Sequence, residues 1–419
     1  MLERLQPFVK ATLADSMPQD DIEFIYDIGG ELVGEIHRKH GLLSQIDFYD
    51  ADALAKAGLP FTGSAMLHAM AGPNDVAHEV EASAIPHIAH RMKEALDDRA
   101  LKLDYIVDYG ANYLAVFEEV EQRYGLPIPN TGLQLAIRKD GTLGSASFMR
   151  EPYSIVYPER LAPKEEARDT LVSGQLVQLA IEQREEWRYV YVPDLHLYGV
   201  EADGRLKRLG ERAVYETLPD LAPVTGPLEA FLQGGRLAPV RTDDGEEAFY
   251  WESVADEDAL QPVLEEPAFH RACRMLQATV GPWYRGYRLE RDSAFLTNQA
   301  FRTYQFVYYH NGVYLQEHAA EITVHQKTGQ IKSVVVPRIP FAQLESLQPP
   351  LVTLEEADAI AKHLVDVTLA MERIDGAENL YTVAYLMEYP SSPTQGAIEY
   401  IDAYTAEVSF VDTGLMKVD

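Results

Sequence analysis

The sequence contains a single cysteine, Cys273, among its 419 residues. One thiol excludes an internal disulfide and any zinc site built from several cysteines. Cys273 shares the apolar side of a predicted helix with Phe269 and Leu276, so we expect a buried, inert thiol. Long hydrophobic runs are also missing. The amino terminus lacks the apolar core of a signal peptide, and no segment approaches the length of a membrane span, so we expect a cytoplasmic protein.

Positive charge is scarce. Lysine and arginine number 36 against 66 aspartates and glutamates, which gives a formal net charge of −30. Such a chain repels phosphate backbones and anionic lipid surfaces, so we expect neither nucleic acid nor a membrane among its partners. Solubility is the simplest role of this acidity. The alternatives are a cationic ligand, a basic partner protein or loosely held divalent cations.

Motifs of cofactor-binding and nucleophilic enzymes are absent as well. The sequence has no G-x-G-x-x-G fingerprint, no phosphate-binding loop ending in Lys-Ser/Thr and no G-x-S-x-G elbow. Ser64 and Ser145 follow glycines but are better interpreted as loop or strand residues. We therefore expect no cofactor and no catalytic residue, and we interpret the protein as non-enzymatic.

One short pattern is present five times. Alternating apolar residues lead into a polar corner and more of them follow it, as in strands that enter and leave a β-hairpin. In four copies a glycine supplies the positive φ of the turn, and in the fifth an alanine takes its place. The corners are at His40-Gly41, Asp140-Gly141, Asp203-Gly204, Thr328-Gly329 and Thr405-Ala406. Repetition of this kind indicates a copied structural unit.

A helix is predicted before the strands of each copy. The clearest one begins with the capping box Thr353-Leu354-Glu355-Glu356 and continues as an apolar stripe at helical spacing. The predicted helices cover residues 7–14, 75–96, 163–172, 267–280 and 353–365. Neither the stripe of a helix nor the apolar face of its sheet is buried unless the two pack together. We therefore predict an α+β fold of tandem units, each one helix packed on the antiparallel β-sheet that follows it.

The copies fall into a larger duplication. Residues 63–212 and 264–419 are each predicted to hold two units, and the second unit of each opens with a Glu-Glu-Ala helix start, at Glu165 and at Glu355. Residues 1–62 are predicted to form a partial helix-plus-hairpin unit. Residues 213–263, which include prolines, glycines and an acidic run, fit no copy and are predicted to be a linker or insertion.

Two of these strings resemble a known family. The last unit reads as a Glu-Glu-Ala helix, strands and then Ile401-Asp402-Ala403-Tyr404-Thr405-Ala406, which resembles the PepSY domain. Together with the segment from Asn311 to Val334, it is similar to the bacterial YcdB/YcdC-type repeat proteins. The resemblance implies tandem PepSY/cystatin-like units without established catalytic residues. PepSY domains are associated with restraint of peptidases or with binding outside the cytoplasm. This chain departs from them at Ala406, where glycine is expected, and in lacking a recognisable secretion signal.

The candidate metal site is on the second predicted helix. His87, His90 and Glu94 are spaced by three and four residues and share one face, as metal ligands would need. That face lies opposite the apolar stripe, so the alternative is a solvated polar surface without supporting hydrogen bonds. His37 and His40, beside the first corner, are predicted to be surface residues of a strand and its turn.

The candidate binding surface is aromatic. Trp283, Tyr304, Tyr308 and Tyr314 crowd the fourth unit, around a hairpin predicted from Asn311-Gly312. Tyrosine and tryptophan at strand spacing usually form cross-strand pairs that complete a sheet face, which is the alternative to a ligand platform.

Three functions are compatible with these features. The first is a non-enzymatic binding or interaction role, either peptide binding at exposed sheet edges by strand addition or restraint of a peptidase. The second is a metal- or carboxylate-dependent hydrolase with a site in the cleft between the two modules. The third is a structural spacer. The repeated positions are turn glycines, helix starts and apolar strand residues, all of them structural, so we favour the first.

Overall fold

The computed structural model describes residues 1–49, 79–184, 186–210, 212–222, 232, 237–241, 247–253, 267–291, 300–377 and 379–416. These residues form a mixed α+β protein in which four mostly antiparallel sheets carry a few short helices. None of the helices in this part of the chain combines the length and the hydrophobicity needed to cross a bilayer.

The first sheet joins the first two copies of the repeat. Its strands are β1 (Leu13–Gln19), β2 (Ile22–Asp27), β3 (Leu32–Lys39), β4 (Leu42–Phe48), β5 (Lys102–Asp108), β6 (Asn112–Val120), β7 (Pro127–Arg138) and β8 (Leu143–Phe148). They are ordered β1-β2-β3-β4-β8-β7-β6-β5. The two copies meet where β4 pairs with β8, with Ile46 opposite Ala146.

Among the residues described in this part of the chain, two helices are present: α1 (Leu2–Leu5), continued by a 3-10 turn, and α2 (Ile85–Leu96). Pro86 lies in the first turn of α2, where a backbone N–H would have no helical partner. The residues of α2 that repeat at helical spacing are buried, and the helix packs on β6 and β7. The helix is therefore shorter than the predicted 75–96, and residues 75–78 lie outside the described part of the chain.

The prediction of a helix over residues 7–14 is wrong. Helical geometry ends with the 3-10 turn Gln6–Phe8, and Leu13–Gln19 form a strand. A short helix is marginally stable by itself. Pairing with β2, in which Ser16 lies opposite Ile25, gives the backbone N–H and C=O groups of this segment stable hydrogen-bond partners.

The remaining elements build three further sheets. The third copy contributes β9 (Ser154–Ile155), α3 (Lys164–Ser173), β10 (Val177–Gln183), β11 (Trp187–Pro193), β12 (Leu197–Glu201) and β13 (Leu206–Arg208). The fourth copy and the residues before it contribute β14 (Tyr215–Thr217), β15 (Ala238–Arg241), β16 (Glu247–Glu252), α4 (Ala268–Val280), β17 (Tyr287–Glu290), β18 (Phe301–His310), β19 (Val313–His325), β20 (Ile331–Pro337) and α5 (Phe341–Glu345). The fifth contributes α6 (Leu354–Leu364), β21 (Asp366–Arg373), β22 (Leu380–Glu388), β23 (Ile398–Asp402) and β24 (Val408–Phe410).

The fourth copy forms the centre of a seven-stranded sheet, ordered β14-β17-β18-β19-β20-β16-β15. Its helix α4 packs on β19 and β20, and Cys273 is fully buried there, as predicted. The hairpin predicted from Asn311-Gly312 is confirmed, with φ values of 47° and 94° at the two residues. Strands β14, β15 and β16 come from the predicted linker, residues 213–263, and extend both edges of this sheet.

The third and fifth copies exchange hairpins. The second sheet has the order β10-β11-β23-β24, and the third sheet has the order β13-β12-β22-β21, with β9 beside β22. Each sheet thus holds one hairpin from each copy. The two joining pairs are equivalent: Tyr191 of β11 lies opposite Ile401 of β23, and Val200 of β12 lies opposite Tyr385 of β22. The two copies are therefore related as the halves of a swapped dimer, within one chain.

The helices take part in the exchange. α3 packs on β12 and on β21 of the other copy, and α6 packs on β10 of the other copy. The predicted array, with each helix on the strands that directly follow it, is thus not confirmed. Prolines mark both connections: Pro193 ends β11, and Pro390 and Pro393 follow β22. Because proline cannot donate to a strand ladder, the chain leaves one sheet there and enters the other.

All five predicted corners form turns with positive φ. The φ values are 78° at Gly41, 81° at Gly141, 96° at Gly204, 70° at Gly329 and 63° at Ala406. The predicted capping box is also confirmed: the Glu356 amide donates to the Thr353 hydroxyl, and the Thr353 amide donates to the Glu356 carboxylate. Ala406 therefore holds a conformation that residues with a Cβ adopt rarely.

Replacing Ala406 by glycine is expected to raise the free energy of unfolding by about 0.5 kcal/mol. A left-handed alanine costs about 1 kcal/mol, and the greater freedom of glycine in the unfolded chain cancels roughly half of the gain. Urea unfolding curves measure the difference.

The matched change is Gly41→Ala, at a turn where an added Cβ would meet no heavy atom within 4 Å. It should lower the free energy of unfolding by about 0.5 kcal/mol, because about 1 kcal/mol of backbone strain is half offset by the smaller conformational freedom of alanine in the unfolded chain. A neutral Gly41→Ala, or a destabilising Ala406→Gly, would contradict this account of the corners.

Candidate functional site

A cleft of about 930 Å³ lies between the second sheet and the seven-stranded sheet. Its size is typical of ligand-binding pockets. One wall is the end of the β10–β11 hairpin, and the other consists of the ends of β15 and β16, the 3-10 turn Gly281–Gly286 and α5 with the residues before it. The described residues that line it are Gln183, Arg184, Trp187, Arg241, Glu247, Trp283, His318, Arg338, Ile339, Pro340, Phe341, Ala342 and Gln343.

Aromatic rings form the apolar part of the cleft. Trp283 stacks on Phe341, with ring centroids 4.6 Å apart and 13° between the planes. Trp187 packs against His318 at 4.8 Å, and both side chains are largely buried. Because each ring is held by a neighbour, a ligand meets preformed surfaces and loses little binding energy to ordering them.

Arg184 is fixed at one side of the cleft. It donates to Glu399 at 2.9 Å and to Glu182 at 3.0 Å, and its guanidinium carbon lies 3.9 Å from the ring centroid of Tyr400. The guanidinium is thus stacked on a ring and forked between two carboxylates. This anchoring places positive charge at the cleft wall in a defined orientation.

Arg338 and Arg241 lie at the opposite side. Arg338 donates to Glu247 at 2.7 Å. Arg241 is exposed and has no ion-pair partner among the residues that the structure describes. Guanidinium groups bind carboxylates in a two-pronged geometry. In the described lining, Arg184 and Arg338 are paired with carboxylates, so Arg241 is the arginine that remains available to an anionic group of a ligand.

Two edge strands end at the cleft. Among the described strands, β10 is the outer strand of the second sheet and ends at Gln183, and β15 is the outer strand of the seven-stranded sheet and ends at Arg241. An edge strand carries N–H and C=O groups that its own sheet leaves unpaired, and an extended polypeptide can pair with them. The cleft therefore combines backbone hydrogen-bonding groups with aromatic rings and positive charge.

The four aromatic residues predicted as a binding surface lie in different places. Trp283 lines the cleft. Tyr304 and Tyr308 belong to the hydrophobic core and are not among the described residues that line the cleft. Tyr314 stacks on Tyr215 at 3.9 Å, away from the described lining of the cleft.

Sequence reasoning missed the arginines and the second tryptophan. Arg184, Arg241 and Arg338 come from three segments that are far apart in the chain and have no common motif. Trp187 lies at the start of β11, where an aromatic residue at strand spacing usually indicates a cross-strand pair. Two of the three tryptophans line the cleft, so tryptophan placement was a signal that could have pointed to this region.

The residues of the predicted metal site, His87, His90 and Glu94, are exposed on α2. His90 Nδ1 lies 2.8 Å from the carbonyl oxygen of Pro86. The potential ligand atoms of the three residues do not all lie within 4.8 Å of one another. A metal site on α2 stays a prediction.

A hydrolase in the cleft would need paired carboxylates or a cluster of metal ligands. Among the described lining residues, Glu247 is the one carboxylate and His318 the one imidazole. Glu247 is engaged by Arg338, and His318 is packed against Trp187. Paired carboxylates and a cluster of metal ligands are therefore absent from the described lining.

Comparisons with known proteins assign no family. No protein-family model matches the chain, and no curated protein matches its sequence. Among solved structures, the Bacillus megaterium YpeB C-terminal domain is similar to it with a TM-score of 0.30 and 14% sequence identity, over 50% of this chain and 96% of that one. A likeness at this level carries no argument about fold or function, so the PepSY and YcdB/YcdC resemblance of the sequence stays a prediction.

A buried carboxylate, Glu118 of β6, lies near the contact between the first and third sheets. It is 5% exposed and accepts a hydrogen bond from the Asn130 amide at 3.0 Å. Burial raises the pKa of Glu118 to about 7; the amide hydrogen bond opposes this shift, and the carboxylate of Asp104 adds to it. Close by, the Tyr381 hydroxyl of the third sheet donates to the carbonyl oxygen of Pro129 at 2.8 Å. Glu118 therefore changes charge where two sheets pack together.

The free energy of unfolding should fall as the pH rises from 5 to 8, and Glu118→Gln should remove that part of the dependence. The pKa of Glu118 is about 7 in the folded protein against 4.5 for an ordinary glutamate. Between these values the folded state binds more protons than the unfolded state, so deprotonation destabilises the fold. At about 1.4 kcal/mol per pKa unit, the loss is roughly 3 kcal/mol. Urea unfolding at several pH values measures it.

The control is Glu159→Gln, which changes an exposed glutamate and should leave the pH dependence unaltered. If the Glu118→Gln protein showed the wild-type dependence, burial of this carboxylate would not be its source.

Proposed function

We propose that this protein is a binding protein that holds an extended, acidic peptide segment in the cleft between the second sheet and the seven-stranded sheet. The observation that carries the proposal is the convergence of Arg184, Arg241 and Arg338 with two tryptophans on one cleft. The net charge of the chain is −30. Among the described residues of the cleft, Arg241 has no ion-pair partner, so it gives an anionic group one favourable place in a chain that otherwise repels anions.

Each part of the cleft has a role in this proposal. Arg241, which has no partner among the described residues, binds an acidic side chain of the peptide. The stacked Trp283 and Phe341 rings accept an apolar side chain next to it. The ends of β10 and β15 receive the peptide backbone by strand addition.

A peptide uses this combination better than a small anion does. A small anion would contact the arginines alone and would leave the rings and the strand edges unused. Restraint of a peptidase through one of its acidic loops is the finer form of this proposal, and it is supported by the sequence resemblance to PepSY domains.

Binding can be followed by the fluorescence of the cleft tryptophans themselves. Trp251 lies on β16 outside the described lining, so Trp251→Phe leaves Trp187 and Trp283 as the reporters. An eight-residue peptide of alternating glutamate and leucine should change their emission saturably. The same peptide with lysine in place of glutamate should not. Added salt should weaken the binding, because the arginines are solvent-accessible.

Arg241→Ala should weaken the acidic peptide roughly tenfold to a hundredfold, the value of hydrogen bonds to charged groups. Arg205→Ala removes an exposed arginine outside the cleft and should leave the affinity unchanged. Equal affinities for the two peptides, or equal effects of the two arginine variants, would exclude this cleft as an acidic-peptide site.

A further inference from the structure

Three potential metal ligands meet on the first sheet, far from the cleft in the sequence. Glu35 and His37 lie two residues apart on β3, and Asp47 lies on β4 directly opposite Glu35. Side chains alternate along a strand, so all three point to one face, and the fully buried Ile36 and Ile46 point to the other. The register between β3 and β4 therefore assembles the group.

The distances suit a single small cation after slight rearrangement. His37 Nε2 lies 2.8 Å from Glu35 Oε1 and 3.9 Å from Asp47 Oδ2, and the three ligand atoms all lie within 4.8 Å of one another. A zinc ion holds its nitrogen and oxygen ligands at about 2.0–2.1 Å, which separates the ligand atoms by roughly 3.4 Å. Among the described residues, no other group of three histidine, cysteine, aspartate or glutamate side chains brings its ligand atoms this close together.

The carboxylates are placed where two negative charges are unfavourable. Glu35 and Asp47 face each other across an antiparallel pair, and like charges in this position destabilise a sheet. Glu35 is 8% exposed, so water does little to screen it. The amide of Gln45 donates to Asp47 Oδ2 at 2.8 Å. A bound cation would neutralise the pair.

A second observation comes from Tyr49, which follows β4 on the same face. Its hydroxyl oxygen is buried, and the carboxylates of Glu35 and Asp47 lie near it. A metal ion at this group, or a water that the ion holds, would lie within reach of the Tyr49 hydroxyl.

We propose that Glu35, His37 and Asp47 bind one divalent transition-metal ion, with Tyr49 beside it. One imidazole and two carboxylates form a ligand set suited to Zn²⁺ or Mn²⁺. Gln45 orients the Asp47 carboxylate through its hydrogen bond. Three protein ligands leave a coordination position for water or a ligand, on the side where His37 is partly exposed.

Isothermal titration calorimetry of the full-length protein, freed of metal by chelation, with zinc chloride and separately with manganese chloride tests the proposal. We expect one saturable site per chain for at least one of the two ions and a higher unfolding temperature in its presence, because the ion binds the folded state. His37→Gln and Asp47→Asn should each weaken binding about tenfold or more. Thermal unfolding without metal verifies that each variant is folded.

The control is the double variant His87→Gln, His90→Gln, which removes the exposed histidine pair of α2 and should bind metal as the wild type does. Absence of saturable binding in the wild type overturns the proposal. So does wild-type affinity in both folded β3–β4 variants, or loss of the site in the α2 variant alone.

Discussion

The pairing of β11 with β23 and of β12 with β22 is the constraint on which the carboxyl-terminal part of the structure depends. Each pair joins a hairpin of the third copy to a hairpin of the fifth, so neither sheet is complete without both copies. Ion pairs reinforce both joints, Arg188 with the buried Asp402 and Lys207 with Glu372. Without its partner copy, each hairpin would expose a row of unpaired backbone groups.

The exchange also positions the cleft. Arg184 and Trp187 belong to the β10–β11 hairpin, which is held by β23 of the fifth copy, and Arg184 reaches Glu399 on that strand. The same hairpin packs on β19 of the fourth copy through β10. One hairpin thus contacts two other copies at once, and the cleft is the space left at its end. The arginines and tryptophans converge there because of tertiary pairing, and no local motif brings them together.

Local signals in the sequence were sufficient for turns, caps and fold class. The positive φ at Gly41, the Thr353 capping box and the buried Cys273 each depend on a few neighbouring residues, and all three were predictable. The positive φ at Ala406 was not predictable, because residues with a Cβ adopt it rarely. The exchange was not predictable, because it depends on pairing between strands that are far apart in the chain, such as β11 and β23, and no local signal specifies that pairing. The candidate sites differ in the same way, between those indicated by neighbouring residues and those formed by tertiary pairing. Helical spacing suggested His87 and His90, whereas Glu35 and Asp47 meet only through a strand register that the sequence does not state.

The exchanged hairpins also order events on the ribosome. Arg184 and Glu399, which contact each other in the finished fold, are separated by 215 positions in the chain. Translation therefore delivers β10–β13 long before the strands that complete their sheets, and closure of such long loops is slow. Throughout that interval the nascent chain presents open edges, and the same pairing is available from a neighbouring chain on the same messenger RNA. A chain can therefore complete these two sheets with its own strands only after its last segment has left the ribosome.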